Sequence, residues 1–121
     1  MSMSSNKFGI PESQMQKIRR RDLSCAYCHK QMFYPCVGDN KRDWATIEHL
    51  NSDGPFYWAT GLKIEDIVVC CGSCNSSRGA KPLPEWFSSS YCESRGINSE
   101  TVADPVRQYL RRKKITNVNV A

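Results

Sequence analysis

Cys25-Ala26-Tyr27-Cys28 and Cys71-Gly72-Ser73-Cys74 are two Cys-x-x-Cys pairs in one chain. The tight turn inside such a pair brings both sulfurs to one side at metal-bonding distance, about 2.3 Å for zinc. Each pair is half of a tetrahedral site, and together Cys25, Cys28, Cys71 and Cys74 supply a complete four-thiolate set. Cys70 precedes Cys71 and could offer its sulfur instead; the two-residue spacing favours Cys71 and leaves Cys70 at the end of a buried strand. Disulfides and a redox dithiol are the competing uses of cysteine. The count of seven is odd, and the polar amino end Met1-Ser2-Met3-Ser4-Ser5-Asn6-Lys7 has no apolar core of a secretory signal. A reducing, cytoplasmic setting and a structural zinc are therefore expected. Cys36 and Cys92 read as small apolar residues or surface thiols.

A second chemistry stands at Glu48-His49, a carboxylate beside one of only two histidines. A histidine beside a carboxylate is often only a hydrogen-bonded core pair, and a neutral imidazole there could also act as a base. The other histidine, His29, directly follows Cys28 and reads as an exposed residue next to a site already filled by four sulfurs. Asn75, Arg78 and Lys81 follow the second cysteine pair, where an amide and two cations would lie near any anion held there.

The elements that must position these groups are short. Pro11 to Arg21 reads as a helix, with proline in its first turn, Glu12 at the positive end of its dipole and Arg19, Arg20 and Arg21 at the negative end. Residues up to Ile10 read as disordered, and Lys30 to Asp43 as an irregular connector or loose hairpin. Trp44 to Leu50 alternates as a strand, with Thr46, Glu48 and Leu50 on one face and Ile47 and His49 on the other. Adjacent strand residues point apart unless a turn re-aims them, and Asn51-Ser52-Asp53-Gly54-Pro55 is a dense turn signal. Lys63 to Cys70 brings the chain back as a second, apolar strand, and Gly72 to Gly79 begins a helix carrying Asn75. Glu85 to Arg95 reads as one helix stopped by Gly96, and Asp104-Pro105 opens a last helix with an Arg-rich end.

One domain is what 121 residues can hold, and a metal that binds only the folded state would support its small core. The net charge of +5 gathers in two clusters, Lys17 with Arg19 to Arg21, and Arg107 with Arg111, Arg112, Lys113 and Lys114. Such clusters point to nucleic acid, against the alternative of solvated helix faces. No apolar stretch is long enough to cross a bilayer.

The succession of Cys25-x-x-Cys28, Glu48-His49, an apolar strand and Cys71-x-x-Cys74-Asn75-x-x-Arg78-Gly79 resembles the zinc-bridged HNH nucleases over residues 25–80. The resemblance implies an α+β fold: a ββα-metal unit of treble-clef type held by the four-cysteine zinc. Residues 1–24 would form a disordered end and basic helix, and 81–121 the carboxyl-terminal helices with a basic tail. It implies DNA as partner, His49 as general base, Glu48 and Asn75 as ligands of a catalytic magnesium or manganese, and Asp66 as the residue that steadies the loop between the strands. Arg78, Lys81, Arg19 to Arg21, Arg111 and Arg112 would meet the nucleic acid, by a monomer or homodimer. The family more often has Asp where Glu48 stands and Asn where Asp66 stands. The rival readings are a catalytically inactive zinc-stabilised nucleic-acid-binding module and a thiol redox protein.

Overall fold

The computed structural model describes residues 7–120, with side chains through Lys113. Residues 1–6, Ala121 and the side chain of Lys114 lie outside them. Five helices and one two-stranded antiparallel sheet make a small α+β fold. Helix α1 spans Glu12–Arg21; the Pro11 carbonyl accepts the Gln14 and Met15 N–H groups, both at 2.9 Å, so proline sits just outside the first turn. Its apolar spacing turns Met15 and Ile18 inward.

Strand β1 spans Ala45–His49 and β2 spans Ile67–Cys71, in the regular register Ala45↔Cys71 through His49↔Ile67. Two strands alone are marginal in water, so this pair depends on cover. Both faces have it. Ala45, Ile47, Ile67 and Val69 pack with Met15 and Ile18 of α1 and with Phe8, Ile10 and Leu62. On the other face Val68, Cys70 and Leu50 pack with Tyr27, Trp86 and Val106. That is why β2 is buried at every residue and reads as an unbroken apolar run.

Phe8 and Ile10 correct the expectation of disorder up to Ile10. Both are buried, and the Phe8 carbonyl accepts the Trp58 N–H at 2.8 Å. Two bulky apolar residues around Gly9 are enough to pin this segment on the sheet. The connector 30–43 is mostly irregular, ending in a 3-10 turn at Lys41–Asp43. Helix α2, Gly72–Arg78, docks on this turn, and Gly72 is required there: a Cβ would stand 2.0 Å from the Lys41 carbonyl oxygen.

The single helix expected over 85–95 is two. Helix α3 is Leu83–Phe87 and α4 is Ser90–Arg95, because the Ser89 hydroxyl caps a new start by accepting the Cys92 N–H at 3.3 Å. Trp86 is fully buried with its indole N–H on the Ser77 hydroxyl at 2.9 Å, which fastens α3 to α2. Helix α5 spans Asp104–Val120 and lays Val106 and Tyr109 over the second cluster. Among the described residues no helix is long and apolar enough to cross a membrane.

Candidate functional site

The four cysteines converge. One sulfur from each of Cys25, Cys28, Cys71 and Cys74 lies within 4.8 Å of all the others, a group that could hold a metal such as zinc. Cys28 and Cys71 sulfurs are 3.8 Å apart, close to the edge of a tetrahedron with about 2.3 Å arms. The backbone supplies donors to these sulfurs. Tyr27 and Cys28 N–H groups point at Cys25 Sγ, both at 3.4 Å, the Cys71 N–H at the same sulfur at 3.3 Å, and the Cys74 N–H at Cys71 Sγ at 3.4 Å. Tyr91 adds its hydroxyl to Cys74 Sγ at 3.4 Å. Such donors favour thiolates over thiols.

Four sulfurs this close repel one another as thiolates, so the proton affinity of each answers to its neighbours. Hydrogen bonding with Cys25 draws Cys28 far down, and contact with Cys25 drives Cys71 and Cys74 far up. Against an opposing contact with Cys28, Cys71 and Cys74 hold Cys25 down to about 6. A bound dication would stabilise all four as thiolates. Cys70 is not part of the set: its sulfur turns to the opposite side, 3.7 Å from Thr46 Oγ1 and 3.8 Å from Glu48 Oε1.

Glu48 and His49 do not share a site. The register runs evenly through both, so no bulge re-aims either side chain. Glu48 points into the interior, where Arg78 Nη1 stands 2.9 Å from its Oε2 and the Tyr27 hydroxyl donates to the same oxygen. Both charged side chains are at most 6% exposed. Burial pushes the Glu48 carboxyl up against the pull of Arg78; burial also works against the Arg78 charge, which Tyr27 and Glu48 nevertheless hold above its ordinary value. Burial raises Tyr27 as well and keeps its proton in place as a donor.

Arg78, expected to approach phosphates, is instead enclosed. Its guanidinium donates to the carbonyls of His49 at 3.1 Å and Leu50 at 2.8 Å, and its Nε to Lys81 at 2.8 Å. The last turn of α2 thereby grips the end of β1 through the His49 and Leu50 carbonyls. Lys81 itself is exposed and touches the Ser77 carbonyl at 3.3 Å.

His49 emerges on the opposite face, its ring centroid 5.4 Å from Phe8 and 4.7 Å from Phe56. Its Nδ1 lies 2.8 Å from the Asn51 carbonyl. A carbonyl can only accept, so Nδ1 carries the proton and Nε2 keeps the lone pair. Burial lowers the His49 pKa, so the ring is neutral at neutral pH. Asn51 is buried and its amide nitrogen holds the Pro55 carbonyl at 2.9 Å, which fixes the turn that orients the imidazole.

Asn75 is half-buried on α2 and donates its amide to Thr46 Oγ1 at 3.0 Å. Asp66 closes the loop between the strands through its backbone, whose carbonyl takes the Leu50 N–H at 2.7 Å; its carboxylate stands 3.5 Å from Arg112. Among the described residues the four cysteines are the one group of three or more His, Cys, Asp or Glu donors that converges. The Glu48 carboxylate, expected to hold a catalytic ion, is occupied instead by Arg78 and the Tyr27 hydroxyl.

The basic helix end is largely engaged in the fold. Arg19 donates to the Ala45 carbonyl at 3.1 Å with its guanidinium carbon 3.8 Å from the centre of the Tyr34 ring, and Arg21 binds Asp22 and the Ile67 carbonyl. Arg20 and Arg111 are exposed, and Arg112 reaches the Glu65 carbonyl at 3.3 Å. His29 takes a left-handed backbone, φ 67°, and its Nε2 meets the Thr101 carbonyl, a structural link from the first cysteine turn to the segment before α5.

Spacing alone missed Tyr27 and Asn51. The aromatic inside the first cysteine pair and the Asn opening the turn after His49 carry the only signals of their roles. Compared with models of known protein families, with curated proteins and with solved structures, the chain matches none of them.

Proposed function

We propose that the chain is a DNA endonuclease of the HNH kind, built on a structural zinc, with His49 as the general base that activates water against a phosphodiester bond. The observation that carries this reading is the state of His49: half-buried, held by Asn51 through Nδ1, and presenting a basic Nε2 that has no hydrogen-bond partner among the described residues. A histidine kept only for packing needs no such tautomer control. Cys25, Cys28, Cys71 and Cys74 would hold the zinc, which in a closed four-sulfur site supplies folding energy and leaves no open position for substrate. It fastens the first cysteine turn to the end of β2 and the start of α2, and Arg78 then ties α2 to the end of β1 where His49 begins.

The Glu48 carboxylate, already paired with Arg78, is not free to hold magnesium or manganese. That same pair favours a second reading, a zinc-stabilised nucleic-acid-binding module without catalysis. Incubation of the zinc-loaded protein with supercoiled plasmid, in magnesium, in manganese and with no added divalent ion, separates the two. Nicked or linear product in any arm supports the nuclease. DNA retention with no product under every condition supports the binding module.

A further inference from the structure

A cleft of about 360 Å³ runs along β1, lined by Lys7, Phe8, Arg19, Trp44, Thr46 and Asn75 among others. Its size falls within the roughly 300–1,000 Å³ of small-ligand sites. Two cations line it and no carboxylate does. Neither Lys7 nor Arg19 has an ion-pair partner among the described residues, and the Arg19 Nε is buried with no hydrogen bond. Outside this lining, the Lys41 amine stands 5.8 Å from the centre of the Trp44 ring. Cations, two aromatic rings and the Thr46–Asn75 hydroxyl–amide pair in one cleft match a ligand that is both anionic and planar. Phe8 joins the cleft to the site already described, since its ring edge meets His49 with centroids 5.4 Å apart.

We propose that this cleft holds one nucleotide of single-stranded DNA, its phosphate on Lys7 and Arg19 and its base against Trp44. A base inside a duplex has no free face for an aromatic wall, so the cleft selects an unpaired strand, whereas backbone charge alone would accept either form. The inference deepens the nuclease reading by naming its substrate form, and it rests on that reading only for the chemistry at His49.

The test is anisotropy of a labelled twelve-residue thymidine oligonucleotide and of a duplex of the same length, titrated with zinc-loaded protein without magnesium or manganese. The oligonucleotide should bind tighter than the duplex. Lys7→Glu should weaken it about tenfold or more with zinc content and melting temperature unchanged, while Lys63→Glu, which lies outside the cleft, should weaken it less than about threefold. Binding should quench tryptophan emission in the parent, and Trp44→Phe should remove that quench. Equal losses for the two lysine variants, tighter duplex binding, or a quench that survives Trp44→Phe overturns the proposal. Thymidine monophosphate binding as tightly as the oligonucleotide also overturns it, in favour of a free-nucleotide site. Cleavage by the parent with Lys7→Glu indistinguishable in binding sinks the cleft alone; strand binding that depends on Lys7 in a protein that never cleaves sinks the nuclease alone.

Discussion

The two Cys-x-x-Cys pairs and the Glu48-His49 pair are equally short sequence patterns, yet the first converge on one point and the second part to opposite faces. Within each pair a two-residue turn brings the sulfurs together, and the Ala26 N–H on the Val69 carbonyl at 3.1 Å carries the first turn to the end of β2, so that all four lie within 4.8 Å. Glu48 and His49 are neighbours on a regular strand, and a strand sends neighbours to opposite faces. What each then does is set by residues outside the strand: Tyr27 and Arg78 for Glu48, Asn51, Phe8 and Phe56 for His49. A turn encodes geometry locally; a strand encodes only a side.

The largest effect that would break this contrast is at the sulfurs. Cys28→Ala and Cys74→Ala should each lose the metal and cooperative unfolding together, because binding of a structural zinc is folding free energy. Metal analysis alongside a melting curve checks this, and a variant with one tight zinc and a parent-like transition would show the cluster to be incidental.

Next comes the buried pair. Glu48→Ala or Arg78→Ala leaves an unpaired buried charge and should cost about 3–5 kcal/mol in urea unfolding, with zinc still bound. If Glu48 were instead an ion ligand waiting in an open site, Glu48→Ala would leave stability near the parent value. The double variant Glu48→Met with Arg78→Met should recover part of the loss, since it removes both charges.

A smaller effect concerns pH. The His49 pKa lies below its ordinary value of about 6.5, so between the two values the unfolded chain binds the proton and the folded chain does not. The contribution is absent above about pH 6.5 and destabilising below it. Going from pH 7.5 to 5.5, the urea midpoint of the parent should fall slightly further than that of His49→Phe. An equal fall in both would place His49 in ordinary solvent.

The smallest effect belongs to the exposed arginines. Arg20→Glu and Arg111→Glu should change stability by no more than about 0.5 kcal/mol, while weakening binding to unrelated DNA sequences alike. Unchanged affinity and salt dependence would make these two a solvated surface.

The sequence carried the two strands, the first helix and the cysteine set because each rests on a local signal: alternation in β1, an unbroken apolar run in β2, opposite charges at the two ends of α1, and turn spacing at the cysteines. It did not carry the burial of Phe8 and Ile10, since a short apolar pair in a polar end is recognisable only once the sheet face it covers exists. Nor did it carry the break at Ser89, where one hydroxyl outweighs a continuous helical pattern. Arg78 is the instructive case. As a cation after a cysteine knuckle it reads as a phosphate contact, but closing α2 onto the end of β1 buries it among three backbone carbonyls and one carboxylate.

On the proposed reading His49 acts as a base on a scaffold it does not support, and single-turnover cleavage of supercoiled plasmid by the parent and by His49→Ala, at matched zinc content, measures this without an intermediate inference. The parent should nick the plasmid, and His49→Ala should do so about 10²–10⁴-fold more slowly while keeping its zinc, its melting temperature and its DNA affinity. Cleavage by His49→Ala at the parent rate, or a loss of cleavage only in step with a loss of fold, would contradict it.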